Sequence, residues 1–122
     1  MKIKFILLVS LIIFSTKILA NESLCQKFNY ISDKEKILID SSQSGYKVIG
    51  KDKAYFYSAP NFNCKINKLF LIEGDLANAY FDYSDFTFIM YLDKKGKIIE
   101  GWIESNRLTP TGTGIGPSDK NK

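Results

Sequence analysis

Apolar and polar residues alternate along much of the second half of the chain, most clearly over 77–82. A run over 86–92 is apolar at almost every position, as in a strand that is covered on both faces. Sequences rich in Gly, Asp and Ser separate these segments at 73–75, 83–85 and 93–96. A repeat of two between turn sequences, with no apolar repeat of helical period in this half, predicts short antiparallel strands. The pattern therefore predicts an all-β fold.

The pattern is less regular in the first part of the chain. We expect a short helix or an extended arm near Cys25, followed by a strand at about 36–40. The last residues are rich in Gly, Ser and Pro and cannot fill a core, which predicts a flexible tail. The chain is thus expected to divide into a leader, an N-terminal arm, a β domain and a tail, with bounds at 1–20, 21–45, 46–109 and 110–122.

The leader has the features of a signal peptide. Lysines at its start precede a ten-residue apolar run over 5–14, and the segment ends in Ile18-Leu19-Ala20. Small and aliphatic residues at these positions suit signal peptidase, and an apolar run of about 15 Å is too short to span a bilayer. Because Cys25 follows a leucine, lipid attachment is not expected. The sequence predicts a mature chain that begins at Asn21 and is periplasmic or secreted, with no membrane anchor.

Composition restricts the chemistry of the mature chain. The whole chain has 17 basic and 13 acidic side chains, and three of the lysines lie in the leader, so the mature balance is 14 − 13 = +1. This balance argues against a nucleic-acid binder. The sequence has no histidine, which excludes a Ser-His-Asp triad, a Cys-His dyad and a histidine-based zinc site. We therefore expect no enzyme activity, no cofactor and no metal.

The two cysteines, Cys25 and Cys64, predict one disulfide in an oxidising compartment. A redox-active pair is disfavoured because the chain has neither a Cys-x-x-Cys motif nor a histidine to activate a thiolate. The bond is expected to tether the N-terminal arm to the β domain.

Three ordered segments resemble bacterial SH3-like domains. Residues 54–60, AYFYSAP, are similar to the opening strand and its small-Pro corner, and residues 70–75, FLIEGD, to the strand end that follows. Residues 101–108, GWIESNRL, are similar to the closing G-[WY]-[IV]-x-x-x-x-[LV] motif. The resemblance covers about 46–109. It implies a small five- to six-stranded SH3-like barrel with a disulfide-tethered N-terminal arm.

The resemblance also assigns faces to the strands. Alternation places Phe70 and Ile72 inward. The family pattern places six further residues in the barrel interior: Ala54, Phe56, Ala77, Ala79, Ile103 and Leu108. Side chains on the opposite face are expected to form an aromatic binding surface with a polar rim. Its members are Tyr55, Tyr57, Phe86 and Trp102, with Asn106 and Arg107 at the rim. The alternative is that the N-terminal arm lies over these aromatic side chains.

Small size, export, a disulfide and surface aromatics are typical of a non-catalytic recognition module. The expected partner is a protein or peptide of the cell envelope, and an inhibitor or immunity-type protein against a wall hydrolase or toxin fits best. The alternatives are a module that binds peptidoglycan peptides and a structural subunit of an envelope complex. Glu104 and Arg107 replace the Pro and Tyr that serve polyproline ligands in eukaryotic relatives, which favours a mixed-charge contact with a folded partner. The protein is expected to be a monomer.

Overall fold

The computed structural model describes residues 21–114, which form one helix and eight strands. Residues 21–35 are helical and are called α1. The strands are β1 (Ile37–Leu38), β2 (Gly45–Val48), β3 (Ala54–Tyr57), β4 (Lys65–Leu71), β5 (Leu76–Tyr83), β6 (Phe86–Leu92), β7 (Ile98–Glu104) and β8 (Leu108–Pro110). Short 3₁₀ turns lie at Ser41–Gln43, Phe62–Cys64 and Ser105–Arg107.

All strand pairs are antiparallel, and the strands form one sheet that curls into a half-barrel. The strand order is β4-β3-β7-β6-β5-β2-β8, and β1 pairs with β5 beside β2. The prediction of an all-β fold is confirmed. Eight strands are present instead of five or six because β1 and β8 are only two and three residues long. Alternation cannot reveal segments of that length.

The concave face of the sheet contains the larger hydrophobic core. All six residues that the sequence placed inside belong to it, and each is at most 8% exposed. The inward prediction was wrong for Phe70 and Ile72, which are 38% and 57% exposed. Leu71 pairs with Ala54 and is buried, so its neighbours Phe70 and Ile72 face outward.

The convex face carries a second, aromatic core. Tyr57, Phe86 and Trp102 are buried there, and Tyr55, Phe81, Tyr83 and Phe88 pack against them. The rings of Phe81 and Phe88 are stacked with centroids 5.0 Å apart, and Trp102 meets both edge-on at 5.4 Å. Edge-to-face packing of this kind adds to the stabilisation from burial alone.

Helix α1 lies against this aromatic layer. Its half-buried and buried residues recur at helical spacing, which gives the helix one apolar face; they are Leu24, Cys25, Phe28, Ile31 and Ser32. Cys25 is bonded to Cys64 with an S–S distance of 2.03 Å, which confirms the predicted disulfide. The backbone N–H of Lys36 donates to the carbonyl of Ser32, at the end of the helix.

Several predicted segments differ at their ends. Strand β1, which lies within the predicted N-terminal arm, already pairs with β5, and the start of the predicted tail is bonded into the sheet. The Thr111 N–H donates to the Gly45 carbonyl, and the Gly45 N–H donates to the carbonyl of Thr113. The predicted leader and residues 115–122 lie outside the described residues. Between residues 21 and 114, no helix has the length and apolar character needed to cross a membrane.

Gly101 offers a direct test of how β7 sits against β3. A methyl group at this position would lie 2.8 Å from Cδ1 of Phe56, a distance that real Cβ atoms almost never show. Phe56 is fully buried and cannot move aside. We expect Gly101→Val to lower the free energy of unfolding by about 2–3 kcal/mol, measured by urea denaturation.

The matched control is Glu100→Val, which changes the next residue of the same strand at an exposed position. Its effect is expected to stay within about 0.5 kcal/mol. Equal stability of the two variants would contradict the register of β7.

Candidate functional site

Three of the four aromatic residues predicted to form an exposed surface are buried. Tyr57 and Phe86 are each 2% exposed and Trp102 is 3% exposed, so the expectation of an exposed aromatic face is wrong for them. Tyr55 is half-buried at the margin of the same cluster. Side chains of this burial stabilise the fold and cannot contact a partner unless their cover moves.

The cover over Trp102 comes from α1. The Trp102 Nε1–H donates to Oδ1 of Asn29 at 3.2 Å, and the amide nitrogen of Asn29 donates to the carbonyl of Ser58 at 2.9 Å. The sequence left a covering N-terminal arm as the alternative to an exposed aromatic surface. At Trp102 the structure shows this covering arm. The disulfide holds α1 in this place.

The structure also shows what the Arg107 side chain contacts. Its guanidinium donates hydrogen bonds to the carbonyl oxygens of Ile49 at 2.9 Å and Lys53 at 3.1 Å, and also to those of Gly50 and Asp52. These bonds fasten the loop between β2 and β3. Arg107 is therefore engaged within the fold, and its place at the rim of a binding surface stays a prediction.

An open groove lies beside Tyr57 and Phe86, at the end of the sheet where the β5–β6 turn meets the 3₁₀ turn after β7. Its volume is about 340 Å³. We call it the Phe62 groove; it is lined by Phe62, Ser84, Asp85, Glu104, Ser105 and Asn106. Asn106 is the only one of the six predicted partner-binding residues in this lining.

Phe62 is the one exposed aromatic side chain of the groove. Asn61 accepts the N–H of Asn63 and so begins the 3₁₀ turn that contains Phe62. The Phe62 ring is 58% exposed, yet its centroid is only 5.0 Å from that of Phe86 and 6.2 Å from that of Tyr57. A buried aromatic floor thus supports a ring whose remaining surface is free.

Hydrogen bonds fix the opposite wall of the groove. The Thr87 hydroxyl donates to Asp82 at 2.6 Å and lies 2.8 Å from the hydroxyl of Ser105. The Ser105 N–H donates to the carbonyl of Asp85, which joins the 3₁₀ turn to the β5–β6 turn. At the tip of that turn Ser84 has φ = 55°, a left-handed conformation that non-glycine residues seldom adopt. A two-residue hairpin turn requires a positive φ at its first residue, and Ser84 and Asp85 form such a turn between β5 and β6.

The groove is negatively charged. Asp85 and Glu104 are the ionisable carboxyl groups of its lining, and no basic side chain among residues 21–114 lines it. Glu104 is half-buried and accepts a hydrogen bond from the Tyr57 hydroxyl at 3.1 Å. This combination of a ring and two carboxylates suits a cationic side chain with an apolar stem. Over residues 21–114, no three acidic or cysteine side chains are grouped as metal ligands.

The Tyr57 hydroxyl gives the stability of the fold a measurable pH dependence. Burial, together with the hydrogen bond to Glu104 and the charge of that carboxylate, raises the pKa of Tyr57 to about 12. The unfolded chain would release this proton near pH 10, so stability is unaffected below pH 10 and falls as the pH rises from 10 to 12.

Absorbance at the phenolate wavelength should therefore show one late-titrating tyrosine that is missing in Tyr57→Phe. Tyr91, whose pKa is also raised, remains in both proteins and cancels in the difference. A difference spectrum that titrates near pH 10 would contradict the burial of this hydroxyl.

Two further cavities flank α1. One, of about 370 Å³, separates the start of the helix from β4 and is lined by Glu22, Cys25, Lys65 and other residues. The second, of about 390 Å³, lies between Tyr30, Asp33 and the aromatic layer. Both cavities lie between α1 and the β domain, and Asn29 lines each of them.

Comparison of the chain with protein-family models, with curated proteins and with solved structures finds no match.

Phe62 was missed by the sequence reasoning. It stands in the segment Asn61-Phe62-Asn63, outside every strand pattern, and only its isolation as an apolar residue in a polar turn sets it apart. A large apolar residue between two asparagines has no packing role that the pattern explains. That is the signal from which Phe62, though not the groove itself, could have been singled out.

Proposed function

We propose that this protein is a non-catalytic, exported recognition module that binds a protein or peptide partner in the cell envelope through the Phe62 groove. The role that fits best is that of an inhibitor or immunity-type protein against a wall hydrolase or toxin. The curled antiparallel sheet agrees with the all-β fold that the resemblance to bacterial SH3-like domains implies, and the disulfide together with the signal-like leader supports export.

The observation that carries the proposal is the exposure of Phe62 in a rigid setting. A ring that keeps 58% of its surface free while packed on two buried aromatic residues is pre-organised for contact. Aromatic anchors held this way, surrounded by polar groups, supply most of the free energy at protein interfaces. Asn106 and Ser105 add donors and acceptors beside it, as in the polar rim of such sites.

The charge of the groove restricts the partner. Two carboxylates without a basic neighbour favour a lysine or arginine on the partner, and the Phe62 ring can pack on the aliphatic stem of that side chain. The absence of histidine from the sequence and the engagement of both cysteines in the disulfide support a role in binding rather than catalysis.

We expect Phe62→Ala to weaken binding of the partner by about 2 kcal/mol or more, which is roughly 30-fold, with little change in stability. The partner is to be isolated from envelope extract with the tagged protein and its affinity then measured by calorimetry. Leu92→Ala is the matched control, because Leu92 is also 58% exposed but lies at the end of β6, away from the groove.

Purified peptidoglycan is tested in parallel by sedimentation. The groove volume of about 340 Å³ lies in the range of small-ligand sites, so a wall peptide with a free amino group could also occupy it. Sedimentation that depends on Phe62, without capture of a protein, would select the wall-binding alternative. A partner that binds Phe62→Ala as tightly as the native protein would refute the groove as the site.

A further inference from the structure

A second exposed surface lies on the convex side of the β3–β4 hairpin. Tyr55 and Phe70 are cross-strand partners, and their rings meet edge-to-face with centroids 5.9 Å apart. The ammonium of Lys53 lies 4.6 Å from the centre of the Phe70 ring, and that of Lys65 lies 4.7 Å from the centre of the Tyr55 ring. The four side chains form a strip in the order Lys53, Phe70, Tyr55, Lys65, which we call the Tyr55–Phe70 strip.

The hairpin that carries the strip is strongly basic within a neutral fold. Residues 21–114 contain twelve basic and twelve acidic side chains, whereas 49–72 contains four lysines and one acid, Asp52. Outside the hairpin, Glu22 of α1 lines a cavity together with Lys65, and Glu104 accepts a hydrogen bond from Tyr57, two residues along β3 from Tyr55. The strip therefore presents positive charge at both ends and aromatic surface between them.

The strip also borders an edge of the sheet. Among the strands of residues 21–114, β4 is at the end of the strand order and pairs only with β3. Its register with β3 shifts between Tyr55 and Phe56, so 67–69 have no partner residue on β3 and the edge is irregular there. The irregular edge disfavours a partner strand that would extend the sheet by regular backbone pairing with β4. It does not disfavour a partner segment that lies across the side chains of the strip.

The spacing of the two lysines defines the matching partner. Lys53 directly precedes β3, and Lys65 pairs with Tyr57 at the other end of the strand, so the two positions are four residues apart along it. Four residues of extended chain span about 13 Å, and residues i, i+2 and i+4 point to one side. Carboxylates at i and i+4 can reach both lysines, while an apolar side chain at i+2 lies on the two rings.

We propose that the Tyr55–Phe70 strip binds an extended acidic segment of a protein partner, with carboxylates four residues apart and an apolar residue midway between them. This surface is separate from the Phe62 groove and has the opposite charge. The inference rests on the proposed function in one respect only, that the partner is a protein. A variant of either surface is expected to lose only the binding that this surface provides.

The test uses nuclear magnetic resonance of the purified disulfide-bonded protein, because shift changes detect weak binding and locate it. The probe is a short peptide with two glutamates four residues apart and a valine midway. The control peptide has glutamine in place of both glutamates. We expect the acidic probe alone to shift the amide signals of β3 and β4, with affinity falling as salt is raised.

Lys53→Gln combined with Lys65→Gln is expected to lower the affinity for the acidic probe about tenfold. Lys94→Gln combined with Lys95→Gln is the matched control, because these exposed lysines lie on the β6–β7 hairpin. Thermal unfolding of each variant confirms that it is folded. Phe62→Ala should leave the probe affinity unchanged, which separates this result from the test of the groove.

Four results would overturn the inference: equal binding of the two peptides, unchanged affinity in the Lys53 and Lys65 variant, shifts centred on the groove, or no shifts at millimolar probe. Vesicles of anionic phosphatidylglycerol form a final arm. Sedimentation with these vesicles in the absence of peptide binding would assign the strip to a lipid surface and refute a protein segment.

Discussion

Replacing Trp102 with alanine is expected to lower the free energy of unfolding by about 3–5 kcal/mol. The side chain is 3% exposed and fills the space between Phe81, Phe88 and Tyr57. Its removal leaves a cavity under α1 and deprives Asn29 of the indole N–H that it accepts. Urea denaturation followed by circular dichroism measures the change.

Tyr30→Ala is the matched control for this variant, because Tyr30 is an aromatic residue of α1 that is 64% exposed. We expect its effect to stay within about 0.5 kcal/mol. Any loss of partner binding by Trp102→Ala should accompany the loss of folded protein. A stable Trp102→Ala protein with impaired binding would show that this residue contacts the partner after all.

Removal of the disulfide is expected to have the second-largest effect. The bond joins residues 39 positions apart, and a loop of that length corresponds to roughly 3–4 kcal/mol in the chain-entropy treatment. Cys25→Ser combined with Cys64→Ser should therefore lower the melting temperature by more than about 10 °C. Calorimetry of the native protein with and without reductant measures the same quantity.

The effect should appear first at α1. Because the helix covers Trp102 and is tethered at Cys25, loss of the bond should make the indole more accessible to a soluble fluorescence quencher below the melting transition. Reductant should change nothing in the double serine variant. Unchanged stability and quenching after reduction would mean that packing alone holds the helix.

The concave face of the sheet was predictable and the convex face was not. The resemblance placed Ala77, Ala79 and Ile103 inward correctly, and small and branched side chains are what the interior of a narrow barrel requires. The opposite face of the same strands carries aromatic residues in either of two cases: when it binds a partner, or when another element covers it. The strand pattern is the same in both cases.

What distinguishes the two cases is the sequence of the covering element. Leu24, Phe28 and Ile31 follow helical spacing, and with Cys25 they give α1 an apolar face that needs a partner surface. In this fold that surface is the aromatic layer around Trp102. The wrong inward prediction for Phe70 had a different origin. The predicted alternation was out by one position in a strand whose register with its neighbour shifts. The Phe62 groove depends on contacts between three separate turns, which no local pattern encodes.

The position of the disulfide along the chain has a consequence for the order of assembly. Cys25 and Cys64 both precede β5, β6 and β7, the strands that supply Phe81, Phe88 and Trp102. Since a polypeptide is made from its N-terminus, both cysteines are available to form the bond before those strands are complete. Helix α1 is then already tethered beside the growing sheet, at high effective concentration, when the last aromatic residues arrive. Docking of α1 onto the aromatic layer then needs only a short movement of a helix that is already tethered nearby. The apolar surface of this layer is exposed to solvent for little time.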